Sequence, residues 1–216
     1  MPLMNLYLET STEAMQEIAK QIYKNLDKDY YLAGGTALAL KIGHRKSIDL
    51  DYFIRKDIDT ALLKGKLADI FSDVDVEVLF EEKNTLWTRI NGVNVSFISR
   101  KDNLLEKVVE EDFFRLADLR DITVMKLSAI LSREEYKDYF DMACLSKKTD
   151  AREWPSWWQE IYPKEDLTSW LVALSAIDMM TKIPLEIMDD YKEIDVSRTL
   201  KNIVQEITKF IEKTET

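Results

Sequence analysis

Leu32-Ala33-Gly34-Gly35-Thr36-Ala37-Leu38-Ala39-Leu40-Lys41-Ile42-Gly43-His44-Arg45-Lys46-Ser47-Ile48-Asp49-Leu50-Asp51-Tyr52-Phe53 opens on a glycine pair and a hydroxyl residue. It closes on two aspartates one residue apart in an apolar run. Tyr30 to Leu32 reads as a short strand running into Gly34-Gly35. Thr36 to Ile42 reads as a short helix, apolar on most sides and therefore buried. Gly43 to Ser47 is a polar loop, and Ile48 to Ile54 is a second strand.

Each half of the stretch has a chemical reading and a plainer one. Glycines between a strand and a helix let the backbone approach a ligand, and the N–H groups at the helix start favour an anion. Thr36 can add a hydroxyl donor. The plainer reading is a tight turn. Asp49 and Asp51, at i and i+2 of a strand, project to one face with Cα atoms roughly 6–7 Å apart. Two like charges there repel, and a divalent cation that also binds phosphate oxygens relieves the repulsion. The plainer reading is an edge strand with its acidic face in water, as for Asp75 and Glu77. The glycine pair just upstream favours the metal-and-phosphate reading. Arg45 and Ser47, in the intervening loop, can neutralise and hydrogen-bond phosphate. Lys46 reads as solvated, and His44 as a packing residue that orders the loop.

Working outward, Thr10 to Asn25 has helical spacing, with Ser11 or Thr12 as cap. Asp57 or Asp59 caps a helix through about Phe71. Val74 to Phe80 alternates apolar and acidic residues as a half-buried strand does. Thr85 to Ile90 and Val93 to Ile98 flank Asn91-Gly92, a strong hairpin signal. Leu119 to about Leu145 is helical in pattern, and residues 150–216 are mostly helical, with Pro155, Pro163 and Pro184 at the breaks. Four of the five tryptophans lie in that last segment, where helical aromatics read as core. The expectation is an α/β (α+β) fold with a mixed sheet flanked by helices. A domain boundary is placed near Lys147–Arg152, giving residues 1–148 and a helical extension, 149–216.

Composition limits the chemistry. The 216 residues carry a net charge of -10, which argues against broad binding to polyanions but not against a local basic groove. One histidine and one cysteine exclude a zinc site built from several such ligands, so a metal here is a hard cation on carboxylates. Lone Cys144 fits a reducing cytoplasm. Met1-Pro2-Leu3-Met4-Asn5 carries no leader pattern, and no run is long and apolar enough for a membrane span.

Lys126 stands out on the long helical segment. Ile122, Ala129 and Ile130 surround it at helical spacing, so its ammonium faces the core and needs a carboxylate or a phosphate. If the helix continues through Ser132, Arg133 and Lys137 extend a basic ridge from it. Asp138 and Asp141 lie beside that ridge, as ion-pair partners first and catalytic groups second.

Taken together, two segments resemble the AbiEii/AbiGii toxin family of nucleotidyltransferases, within the DNA polymerase beta-like superfamily. They are Gly34 to Leu40 with Gly43 to Phe53, and Asp121 to Ile130 followed by Arg133 and Lys137-Asp138-Tyr139-Phe140-Asp141. The resemblance spans about residues 25–146. It implies a nucleotidyltransferase-type mixed sheet, and phosphate contacts from Gly34, Gly35 and Thr36, with Arg45, Ser47 and Lys137 in the nucleotide site. It implies magnesium or manganese on Asp49 and Asp51, a triphosphate held by Lys126, and support from Asp138. It further implies nucleoside triphosphate as donor, transfer RNA or another RNA as acceptor, a cognate antitoxin, and a toxin–antitoxin or phage-defence role. One position departs from the pattern. Where the superfamily often has a third carboxylate, Val93-Asn94-Val95-Ser96-Phe97-Ile98 carries Ser96. Three alternatives stay open: Asp138 as the substitute base, the metal alone, or a protein that binds nucleotide or antitoxin without catalysing transfer.

Overall fold

The computed structural model describes residues 6–214, so the leader expectation for Met1 to Asn5 lies outside it. The chain divides into two compact units: residues up to Asn103 with Lys107–Asp118, and Leu104–Glu106 with everything from Leu119 on.

Among the described residues, the first unit is a seven-stranded mixed sheet with three α-helices. Helix α1 (Glu13–Asn25) is capped by the Thr12 side chain, which accepts from the Met15 N–H. Strand β1 (Tyr31–Ala33) leads directly into helix α2 (Gly34–Ile42), seven of whose nine residues are buried. Strand β2 (Asp49–Ile54) follows, then helix α3 (Thr60–Ile70), capped by Asp59. Strands β3 (Val76–Glu82), β4 (Thr85–Ile90) and β5 (Val93–Ser99) form a meander, and β6 (Val109–Glu111) pairs with β7 (Phe114–Leu116). The strand order is β3-β4-β5-β2-β1-β7-β6. Strand β2 runs parallel to β5 and antiparallel to β1, and β1 runs parallel to β7.

Alternation along β2 decides which face does what. Leu50, Tyr52 and Ile54 are buried, and Asp49, Asp51 and Phe53 are only partly so. On the apolar face Tyr52 stacks on Phe97 of β5, whose ring also meets Tyr30 edge-on, each at 5.7 Å between centroids. Helix α1 packs against β2, β7 and α3, and α3 against β3. The Asn91-Gly92 turn forms as expected, both residues having positive φ. Strand β3 departs from the half-buried expectation: it is an edge strand, and Val78, Leu79 and Phe80 are exposed. A bulge between Val78 and Phe80 breaks its alternation. The β6–β7 hairpin had no sequence-level expectation; each strand has only three residues, too few to show a period.

The second unit is helical. The segment expected as one helix to Leu145 is two: α4 (Leu119–Ser132) and α5 (Tyr136–Leu145). The break has a cause in Lys126 and Asp138. In one straight helix, residues twelve apart are separated by about 18 Å of rise. Their charged groups are 2.7 Å apart here, which requires α5 to fold back on α4. Arg133, Lys137 and Lys126 therefore do not form one basic ridge along a single helix. Pro155 sits in the first turn of α6 (Trp154–Ile161), where its missing N–H costs nothing. Helices α7 (Leu167–Ser175) and α8 (Val196–Thr214) complete the unit. The four tryptophans here are core, each exposed by 7% or less. Among the described residues no helix is long and apolar enough to cross a membrane.

Candidate functional site

In the first unit, Ala33 at the end of β1 lies in register with Asp51 of β2, so α2 begins beside that carboxylate. Gly34 has φ +71°, and a β-carbon there would stand 3.1 Å from Asp51 Oδ2. Both facts favour glycine: an L side chain is strained at that φ and would push on the carboxylate. At Gly35 the constraint is a neighbour. A β-carbon would lie 2.7 Å from an Arg45 guanidinium nitrogen and 3.6 Å from Ser47 Oγ. The guanidinium of buried Arg45 therefore lies against the first turn of α2, held by donation to the Lys46 carbonyl at 3.0 Å. Backbone N–H groups and a guanidinium converge there, a donor set suited to phosphate.

The Thr36 hydroxyl is buried. It hydrogen-bonds Ser47 Oγ at 2.8 Å and donates to the Asp49 carbonyl, tying α2 to β2. The side chain thus holds the frame of the pocket, and its backbone N–H lies in the first turn of α2. His44 is wholly buried in the loop, and Lys46 is exposed, both as their sequence context predicts.

Asp49 and Asp51 project from the same face of β2. Each has a partner in register on β5: Asp49 lies opposite Asn94, and Asp51 opposite Ser96. Asn94 Nδ2 donates to Asp49 Oδ1 at 3.1 Å, and Ser96 Oγ donates to Asp51 Oδ1 at 2.6 Å. Sequence reading missed Asn94, since its role depends on β2 pairing with β5 across 45 residues. Ser96 occupies the position it was expected to, and it orients Asp51. These two carboxylates on one partly open face, beside phosphate donors, fit a divalent cation that completes its shell with water and substrate oxygens, as magnesium commonly does. No cluster of three or more histidine, cysteine or acidic side chains suited to a metal occurs among the described residues.

In the second unit, Lys126 is buried and its ammonium is gripped by two fully buried carboxylates, Asp138 at 2.7 Å and Asp141. Arg133 adds two hydrogen bonds to Asp138, at 2.9 and 3.3 Å. Burial alone would raise the Asp138 carboxyl, but Lys126 and Arg133 outweigh it and hold it below the usual range. Both Asp138 oxygens already accept from cations, so its place is to fix Lys126. Lys137 pairs instead with Glu135 at 2.8 Å. Asp121 accepts from the backbone N–H groups of Leu105 and Glu106, anchoring that loop to α4.

Comparison with known proteins identifies the family and the fold. The sequence model of the family described as "Nucleotidyl transferase AbiEii toxin, Type IV TA system" matches residues 21–154. A protein of Aquifex aeolicus (strain VF5), aq_aa25, is 31% identical over 140 residues, which is 63% of this chain and 66% of its own length. The match thus spans just under two thirds of that relative. The structure of JHP933 from Helicobacter pylori is similar with a TM-score of 0.57 at 20% identity, covering 93% of this chain and 91% of that one. MenT4, a nucleotidyltransferase toxin of Mycobacterium tuberculosis H37Rv, has a TM-score of 0.53 at 12% identity, over 90% and 82% of the two chains. At those identities the structural likenesses establish the fold. The family match, over more than half of the chain, establishes membership: this chain belongs to the AbiEii nucleotidyltransferase toxin family.

Proposed function

We propose that this member of the AbiEii family moves a nucleoside monophosphate from a triphosphate to a hydroxyl of an RNA acceptor, transfer RNA in particular, in the cytoplasm. It would act as the toxin partner of a cognate antitoxin. The observation that carries the reading is that Asp49 and Asp51 share a strand face, with Asp51 against the first turn of α2. One wall of the pocket is therefore acidic and the other offers anion donors.

The chain's own residues divide the work. Gly34, Gly35 and Thr36 present backbone N–H groups to the phosphates and Arg45 adds a charge, while the Ser47 hydroxyl, engaged by Thr36, braces the turn. Asn94 and Ser96 fix the carboxylates, so little reorganisation is needed when charge develops. Within the second unit, Lys126 is committed to Asp138 and Asp141 and Lys137 to Glu135, so the phosphate contacts proposed here come from the first unit. Magnesium or manganese held by Asp49 and Asp51 would neutralise phosphate charge and ease loss of the acceptor's proton. The acceptor oxygen attacks the α-phosphorus, the bond to the β-phosphate oxygen breaks, and pyrophosphate leaves. Ser96 is no base, and Asp138 is already saturated with cationic donors, so the acceptor's proton would pass to solvent.

The test is incubation with transfer RNA, magnesium and each labelled ribonucleoside triphosphate in turn. Label should move to RNA with one of them. No labelling with any nucleotide over a broad acceptor set would reject transfer. Ser96, standing where a third carboxylate is common, favours one second reading: a module that binds nucleotide or antitoxin without turnover. Calorimetric nucleotide binding with no labelling selects it.

A further inference from the structure

The strand face that bears the aspartates continues across β5, β4 and β3, and its rows can be followed in register. One row runs Asp51, Ser96, Trp87, Phe80; the next runs Asp49, Asn94, Arg89, Glu77. Trp87 is 46% exposed and Phe80 41%, whereas Leu86, Thr88 and Ile90 of the same strand, on the other face, are buried. The other four tryptophans of the chain are core, and Trp87 is the exception. Its ring lies 5.0 Å from that of Phe80. The β3 bulge makes this pairing: with unbroken alternation from Glu77, Phe80 would face the opposite side. At the usual strand spacing, Trp87 stands about 10 Å from the Asp51 backbone and Phe80 about 15 Å.

Direction follows from the chemistry. The phosphate donors at the start of α2 lie on the β1 side of Asp51. In an in-line displacement the attacking oxygen enters opposite the leaving pyrophosphate. The acceptor therefore comes over β5, β4 and β3, the side with the aromatic pair. A chain of net charge -10 gains little from charge alone when it binds a polyanion. Base stacking on aromatic rings needs no excess of cations and tolerates any sequence.

Resting on the transfer reading above, we infer that Trp87 and Phe80 form the stacking platform for the unpaired end of a single-stranded RNA acceptor, whose terminal hydroxyl then reaches Asp49 and Asp51. Arg89, bridged to Glu77 at 3.3 Å and to Asn94 at 3.3 Å, is the cation beside its path. A duplex hides its base faces and does not fit.

Trp87 supplies its own reporter, as the one exposed tryptophan among the described residues. The full chain is titrated with a short unstructured RNA, the same RNA in duplex, and ATP with magnesium, while tryptophan emission is followed. Anisotropy of labelled RNA is measured on Trp87→Ala and Trp87→Phe. The single strand should quench emission and the duplex should not. Trp87→Ala should weaken RNA binding by about fivefold to a hundredfold, and Trp87→Phe should retain most of it. Unchanged RNA affinity in Trp87→Ala overturns the platform. So does quenching by ATP with magnesium in place of RNA, or label that goes to protein with no effect of Trp87→Ala. If no triphosphate is ever transferred while RNA binding still depends on Trp87, the transfer reading falls and the platform stands. If transfer proceeds with an unchanged acceptor KM in Trp87→Ala, the reverse holds.

Discussion

Gly35→Ala separates the pocket's two tasks. A methyl group there lies 2.7 Å from an Arg45 guanidinium nitrogen, closer than contacts allow. What yields is the tip of a long side chain rather than backbone, and φ at this position lies outside the left-handed region. Alanine also favours a helix over glycine by up to about 1 kcal/mol. Stability should therefore change by no more than about 1 kcal/mol. On the proposed placement the displaced guanidinium would lose its bond to phosphate, and a hydrogen bond to a charged group is worth about 1.5–3 kcal/mol. At about 1.4 kcal/mol per tenfold, the Kd for the preferred triphosphate with magnesium should rise roughly ten- to hundredfold. Calorimetry measures it, and thermal melts supply the stability arm. Arg45→Ala should give a similar loss, and the double variant should be no worse than either, since both remove one contact. Gly34→Ala is the contrast. With φ +71° and Asp51 Oδ2 at 3.1 Å, it should cost about 1–2 kcal/mol of stability and lower turnover. A wild-type Kd in Gly35→Ala, or additive losses in the double variant, would refute the placement of Arg45 on the phosphates.

Asp49→Asn and Asp51→Asn should each abolish labelling. With metal absent they should melt no lower than wild type, because each removes one of two repelling charges; a clear drop would assign the pair a structural task. Lys126→Met leaves Asp138 and Asp141 buried without their ammonium and should destabilise the chain by about 3–5 kcal/mol, read from denaturant midpoints. An unchanged midpoint would remove the ion-pair argument. The folded-state pKa of Asp138 lies below its unfolded value, so the folded state binds fewer protons. That contribution is present above the unfolded pKa, near 4, and is lost as pH falls through the lower folded value. Denaturant midpoints of wild type should fall in that acid window more steeply than those of Asp138→Asn; equal slopes would contradict the assignment.

What the sequence determined is the local chemistry. Strand periodicity alone puts Asp49 and Asp51 on one face, and a glycine pair between strand and helix marks close backbone approach. The apolar neighbours of Lys126 require a buried partner, and Asn91-Gly92 specifies its own hairpin. These signals survive in one dimension because each depends on residues within a turn or two. Tertiary structure decided the rest. Asn94 reaches Asp49 only because β2 pairs in parallel with β5, a register that no local pattern encodes. Arg45 leans on Gly35 across a loop, and Asp138 meets Lys126 only because the chain breaks between α4 and α5. Trp87 and Phe80 share the aspartate face through a bulge that shifts a single residue. Pairing across long separations and a one-residue change of phase are set by the packing of the whole sheet, so a linear sequence names the chemical groups without fixing which of them meet.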